Sequence, residues 1–166
     1  MNHLFPFIAF LFGAIISFSL FNYLISNKIK SRFTADEIPL GINLLKAIYF
    51  VCGGLMLAEI NGPLTDLTDI LSNSADKGGS LLNAAMYFSI FLGIAILSTA
   101  IVLWFSSITY SVATKGTNLL SDAINNKTGN LILYAGIAFS FTIIVKGSLG
   151  PMLTWIIPYP TTPLFH

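Results

Sequence analysis

The sequence predicts an all-α membrane protein, with four transmembrane helices arranged as two tandem parallel two-helix repeats. Three observations carry this reading. Hydrophobic residues fill 55% of the 166 positions and charged ones only 9%, where a water-soluble domain carries about a quarter charged. Four apolar runs, at about 4–25, 40–60, 83–108 and 129–149, each reach the roughly 20 residues needed to cross about 30 Å of hydrocarbon. Polar and Gly-Pro positions also recur between the two halves of the chain at a nearly constant offset.

Each run must be helical, because a backbone in lipid has to satisfy its own N–H and C=O groups and four short runs cannot close a barrel. The first run has neither the basic leader nor the small-residue cleavage pattern of a secretory signal, so it is expected to stay as a span. Lys28, Lys30 and Arg32 mark the connection after it. Thr34-Ala35-Asp36-Glu37 has capping-box form and opens either a short interfacial helix or a loop leading to Pro39 and the second run. Beyond that run, Leu64, Leu67, Ile70 and Leu71 share one helical face with Asp66 and Asp69 turned away, which predicts a short amphipathic helix in the outer interface, a solvated loop being the alternative. Lys115 and Lys127 mark the third connection. The segment 153–160 is too short and too rich in proline to cross, and its Trp155 and Tyr159 suit the outer interface. By the positive-inside rule the first and third connections are cytoplasmic and both termini lie outside. The expected location is a membrane, with the basic connections on its cytoplasmic side.

An offset of 87 positions places Phe18-Ser19 on Phe105-Ser106, Tyr23 on Tyr110, Lys28 on Lys115, Asn43 on Asn130 and Glu59 on Lys146. With a slip of one residue, Gly62-Pro63 meets Gly150-Pro151. The chain thus divides into a first two-span repeat with its outer amphipathic segment, 1–75, and a second with its aromatic tail, 76–166. Two spans per repeat bring both copies in the same way up, related by an axis along the membrane normal. Gly-Pro is expected to end the second helix of each repeat.

The basic loop, the acidic-Ile entry Asp36-Glu37-Ile38, the Asn near the start of each even-numbered span (Gly41-Ile42-Asn43, then Thr128-Gly129-Asn130) and the small-residue stretch Cys52-Gly53-Gly54 resemble the YjfL-type bacterial inner-membrane proteins. The resemblance spans nearly the whole chain. It implies four spans in two tandem units and a place beside envelope-remodelling and membrane-stress components, and it supplies no catalytic residue. The first copy departs from that pattern, reading Gly-Ile-Asn where the family has Gly-Asn.

No HExxH, CxxC pair, GxxxxGK[ST] or GxSxG occurs, so metallopeptidase, thiol-redox, P-loop and nucleophile-elbow chemistry lack their minimum parts. No enzymatic activity and no cofactor are expected. A net charge of +1 lacks the basic footprint of a nucleic-acid binder. Cys52, the single cysteine, reads as a small core residue. His3 and His166 stand at the extremities, and Asn126-Lys127-Thr128 matches a glycosylation acceptor only in a connection expected to be cytoplasmic. The expected partners are the lipid bilayer and either further copies of the chain or other membrane proteins.

The remaining candidates are polar residues in or near the membrane. Ser19, Asn22, Tyr23 and Ser26 recur at helical spacing on the first span, and Thr99, Ser106, Thr109 and Tyr110 on the third. They serve either as interhelical hydrogen bonds or as the lining of a polar path. Lys46, about one turn into the second span, can snorkel and meet Asp36 or Asp122. Glu59 lies roughly 24 Å above Asn43, and Lys146 the same above Asn130. Three readings fit these two charges: snorkelling, an ion pair between repeats, or a proton relay. Two functions follow from these features, a non-enzymatic oligomeric subunit or scaffold of an envelope complex, or a small channel or transporter.

Overall fold

A computed structural model describes residues 4–29, 38–72 and 80–157 of the chain. Within them the protein is wholly helical: α1 (Leu4–Ile29), α2 (Leu40–Ala58), α3 (Asn61–Ser72), α4 (Ser80–Ala113), α5 (Leu119–Ile124) and α6 (Thr128–Thr154). Three stretches are long and apolar enough to cross a membrane: Leu40–Leu71, which joins α2 to α3, then Leu82–Ala113 and Thr128–Thr154. In α1 the qualifying apolar stretch is the shorter Leu11–Tyr23. Basic residues Lys30 and Arg32, the Thr34–Glu37 capping pattern, Asp76, Lys77, both histidines and positions 158–166 lie outside the described residues.

Surface and core are both apolar. Phe12, Ile15, Leu97, Ile132, Ile143 and Ile144 are all exposed, and helices apolar on every side are the kind buried in a membrane or a protein core. The buried residues form two clusters. Around Ile42, Cys52, Tyr110 and Tyr134 lies the cluster next to α5, and around Met56, Leu64, Phe91 and Leu153 lies the one next to α3. α2 runs through both, packing on α1, α4, α5 and α6. α4 packs on α2 and α6, whereas α1 has no comparable contact with α6.

α2 follows Pro39, whose extended backbone (ψ 144°) leaves the first amides of the helix without a side-chain cap of their own. One of them, Gly41 N–H, donates to Asn126 Oδ1 at 2.8 Å, so a residue 85 positions away supplies what the helix start lacks. The approach needs glycine: a Cβ at Gly41 would lie 2.3 Å from the Ala123 carbonyl oxygen. Asn126 itself sits at φ 53°, a left-handed conformation that asparagine tolerates. It ends α5 with a bond from Lys127 N–H to the Asp122 carbonyl at 2.9 Å. Lys115 (φ 56°) ends α4 in the same way, with Gly116 N–H donating to the Ser111 carbonyl at 2.7 Å. Both are Schellman-type stops.

α3 presents Leu64 and Leu67 to the core while Asp66 and Asp69 are exposed, the face expected of that segment. The two Gly-Pro pairs behave differently from expectation. α2 has already ended at Ala58, and Gly62-Pro63 lies in the first turn of α3, where no amide donor is needed. α6 continues through Gly150-Pro151 to Thr154, giving up the one ladder bond that Pro151 cannot donate. The start of the tail is correspondingly part of the bundle: Leu153 and Ile157 are buried, and Trp155 alone stands out at 91% exposure.

Candidate functional site

The most convergent polar site lies where α4, α5 and α6 meet. Asn118 caps α5 by accepting from Leu120 N–H at 2.9 Å, and the turn that follows buries the Asp122 carboxylate to 1% exposure. Tyr110 on α4 donates its hydroxyl to Asp122 Oδ2 at 2.5 Å, and Asn130 on α6 donates Nδ2 to the same oxygen at 2.8 Å. Lys127 places Nζ 2.9 Å from Oδ1. The Tyr110 hydroxyl first, then Lys127 and Asn130, hold the Asp122 carboxyl well below the usual carboxylate range, against the opposing effect of burial. The group is a satisfied anion that joins three helices, and its lone pairs are occupied by internal donors.

From this carboxylate a column of tyrosines leads into the bundle. The Tyr110 and Tyr134 rings meet edge to face at 5.8 Å, and Tyr134 meets Tyr49 at 6.4 Å. Tyr134 is fully buried and its hydroxyl has no hydrogen-bond partner. Ser17 on α1 is likewise buried with an unpartnered hydroxyl.

At the opposite end, Lys146 Nζ lies 3.3 Å from Glu59 Oε1, both side chains remaining about one-third exposed. Glu59 occupies the two-residue turn between α2 and α3. Gly150 makes room for it, since a Cβ there would come within 3.1 Å of Glu59 Oε2.

The other sequence candidates are not drawn together. On α1, Ser19, Asn22 and Tyr23 are exposed, and among the described residues Ser26 bonds to Asn22, at 3.4 Å. On α4, Thr99, Ser106 and Thr109 donate to the carbonyls of Ala95, Val102 and Phe105 in their own helix. Among the described residues Tyr110 alone of the eight bonds to another helix. Among the described residues no hydrogen bond joins the two stripes, since hydroxyls four residues from a free carbonyl lone pair bond locally. Asn130 is held by Asp122, while Asn43, 87 positions earlier, is exposed. Asp122 takes Lys127 as its partner and not Lys46. Sequence reasoning missed the Asp122 site as a unit. The available signal was an asparagine ahead of an apolar run with an acid in its first turn, Asn118 to Asp122, flanked by lysines.

Among the described residues no group of three or more His, Cys, Asp and Glu side chains could hold a metal. Comparison with known proteins gives no match: no family model, no curated protein and no solved structure matches the chain.

Proposed function

We propose that this chain is a non-enzymatic integral membrane protein that acts as an oligomeric subunit or scaffold in an envelope complex of the bacterial inner membrane. In this reading α1 is a fourth span, the chain is a tandem duplication of the kind the YjfL-type proteins have, and both termini lie outside. The observation that carries it is the disposition of polar groups. The best-connected charged groups are paired inside the chain, Asp122 by three donors and Glu59 by Lys146, which leaves a rigid bundle with an apolar exterior. Such a bundle meets its surroundings through helix packing and lipid, not through a reactive site.

Affinity purification in mild detergent, with identification of what remains bound, tests this. A stoichiometric membrane partner, or a defined self-oligomer that conducts no ions in liposomes, supports the reading. Ion flux through a homogeneous self-oligomer, or a monomer with no partner, overturns it.

A further inference from the structure

α1 and α4 touch at one end and part toward the other. At Gly13 they are so close that a Cβ would lie 3.1 Å from the Phe88 ring and 3.2 Å from Leu92. Farther along, α1 leans on α2 instead, with Phe18 against Phe50 at 5.4 Å and the Phe21 ring over Gly53, where a Cβ would lie 2.8 Å from it. The divergence leaves a cavity of about 490 Å³, within the range of small-molecule sites. Phe21 forms one wall, Leu103 and Trp104 the other, and Leu45 and Tyr49 of α2 the floor.

The chemistry of this wedge is graded. Its walls are aliphatic and aromatic, and its polar groups, Ser107 and Asn118, lie toward the α5 end. The same end carries Lys115 in the exposed α4–α5 turn, and Lys46 three residues before Tyr49 on α2. The one acidic residue there among the described residues is Asp122, which is buried and neutralised by its own partners. An apolar shaft with lysines at one end is complementary to an alkyl chain bearing an anionic head.

We infer that the wedge between α1 and α4 seats one alkyl chain of an anionic glycerophospholipid, with the head group against Lys46 and Lys115. The inference rests on the membrane placement proposed above, in which the wedge opens sideways into the bilayer. Trp104, 61% exposed, stands in its wall and serves as the reporter.

The experiment uses the full chain with Trp155→Phe in phosphatidylcholine vesicles. Trp104 fluorescence is followed as chain-brominated phosphatidylglycerol or chain-brominated phosphatidylcholine is added at equal mole fraction. Brominated phosphatidylglycerol is expected to quench at several-fold lower mole fraction, and Lys46→Gln and Lys115→Gln should each reduce that preference by up to about fivefold. Ala100→Phe, which fills the rim of the wedge, should abolish it, while a Trp104→Phe protein reporting from Trp155 should show none. Equal quenching by the two lipids, or a preference that survives both lysine substitutions, overturns the inference. Quenching by neither lipid overturns the membrane placement itself.

Discussion

Glu59 and Lys146, 87 positions apart in the chain, meet 3.3 Å apart. Like charges there would repel, and the exchange of sign turns the same geometry into a link between α2 and α6. The pair is partly exposed, so breaking it should cost about 1–3 kcal/mol, between the ~0–1 of a surface pair and the ~3–5 of a buried one. Glu59→Lys or Lys146→Glu alone should lower the thermal midpoint in detergent, and the double exchange should recover most of the loss. A double variant no better than the sum of the singles would show that the two charges act independently.

Asp122 should be the more sensitive position. Asp122→Ala strips Tyr110 and Asn130 of a buried acceptor and should cost about 3–5 kcal/mol. Tyr110→Phe removes one hydrogen bond to a charged group and should cost about 1.5–3 kcal/mol. Lys127→Gln should cost less than either, since the lysine is half exposed. Chemical denaturation of the three variants in one detergent gives the order.

The same group sets an acid limit. The folded Asp122 carboxyl titrates well below its ordinary value near 3.8, so the unfolded chain binds its proton first as pH falls. The stabilisation is fully present above about pH 4 and declines as pH drops toward the folded value. Thermal midpoints between pH 7 and pH 3 should fall in the wild type, and the fall should be smaller in Asp122→Asn.

Gly41 and Gly136 provide a matched pair. Gly41→Ala drives a methyl into the backbone of Ala123 and should destabilise by about 1–3 kcal/mol. Gly136→Ala meets nothing within 4 Å and should be neutral or stabilising by up to about 1 kcal/mol. A neutral Gly41→Ala would show that α2 does not dock on α5 as closely as described.

The proposed orientation predicts opposite accessibility at the two ends. In a Cys52→Ala background, a cysteine at Asp66 should react with an impermeant maleimide added outside intact cells, and one at Lys115 only after the membrane is opened. The reverse pattern would invert the orientation.

The long helices were legible because lipid removes alternatives: an apolar run of sufficient length has one way to satisfy its backbone, and α2, α4 and α6 follow from hydropathy alone. α3 was legible from the spacing of Leu64, Leu67 and Ile70 against its two aspartates. The polar stripes were misleading because spacing identifies a face without saying where its donors go, and Thr99 and Ser106 turn to their own helix. The Gly-Pro pairs were misleading because Pro63 falls in a first turn, where no donor is needed, while α6 runs on past the bond lost at Pro151. The Asp122 site was not legible as a unit because its members come from three helices, with nothing local to tie Tyr110 to Asn130.

The position of Asp122 between its partners bears on how the protein is made. Tyr110 precedes it by 12 residues and Asn130 follows it by eight, with Lys127 between, so the anion is neutralised within one short segment as soon as the start of α6 has been synthesised. Among the described residues Glu59 has no such local relief and waits for Lys146. A nascent chain therefore secures its later hairpin first and carries Glu59 as an unanswered charge until its final helix is nearly complete. That interval is when an insertion chaperone would shield it and a quality-control protease would recognise it as unfinished.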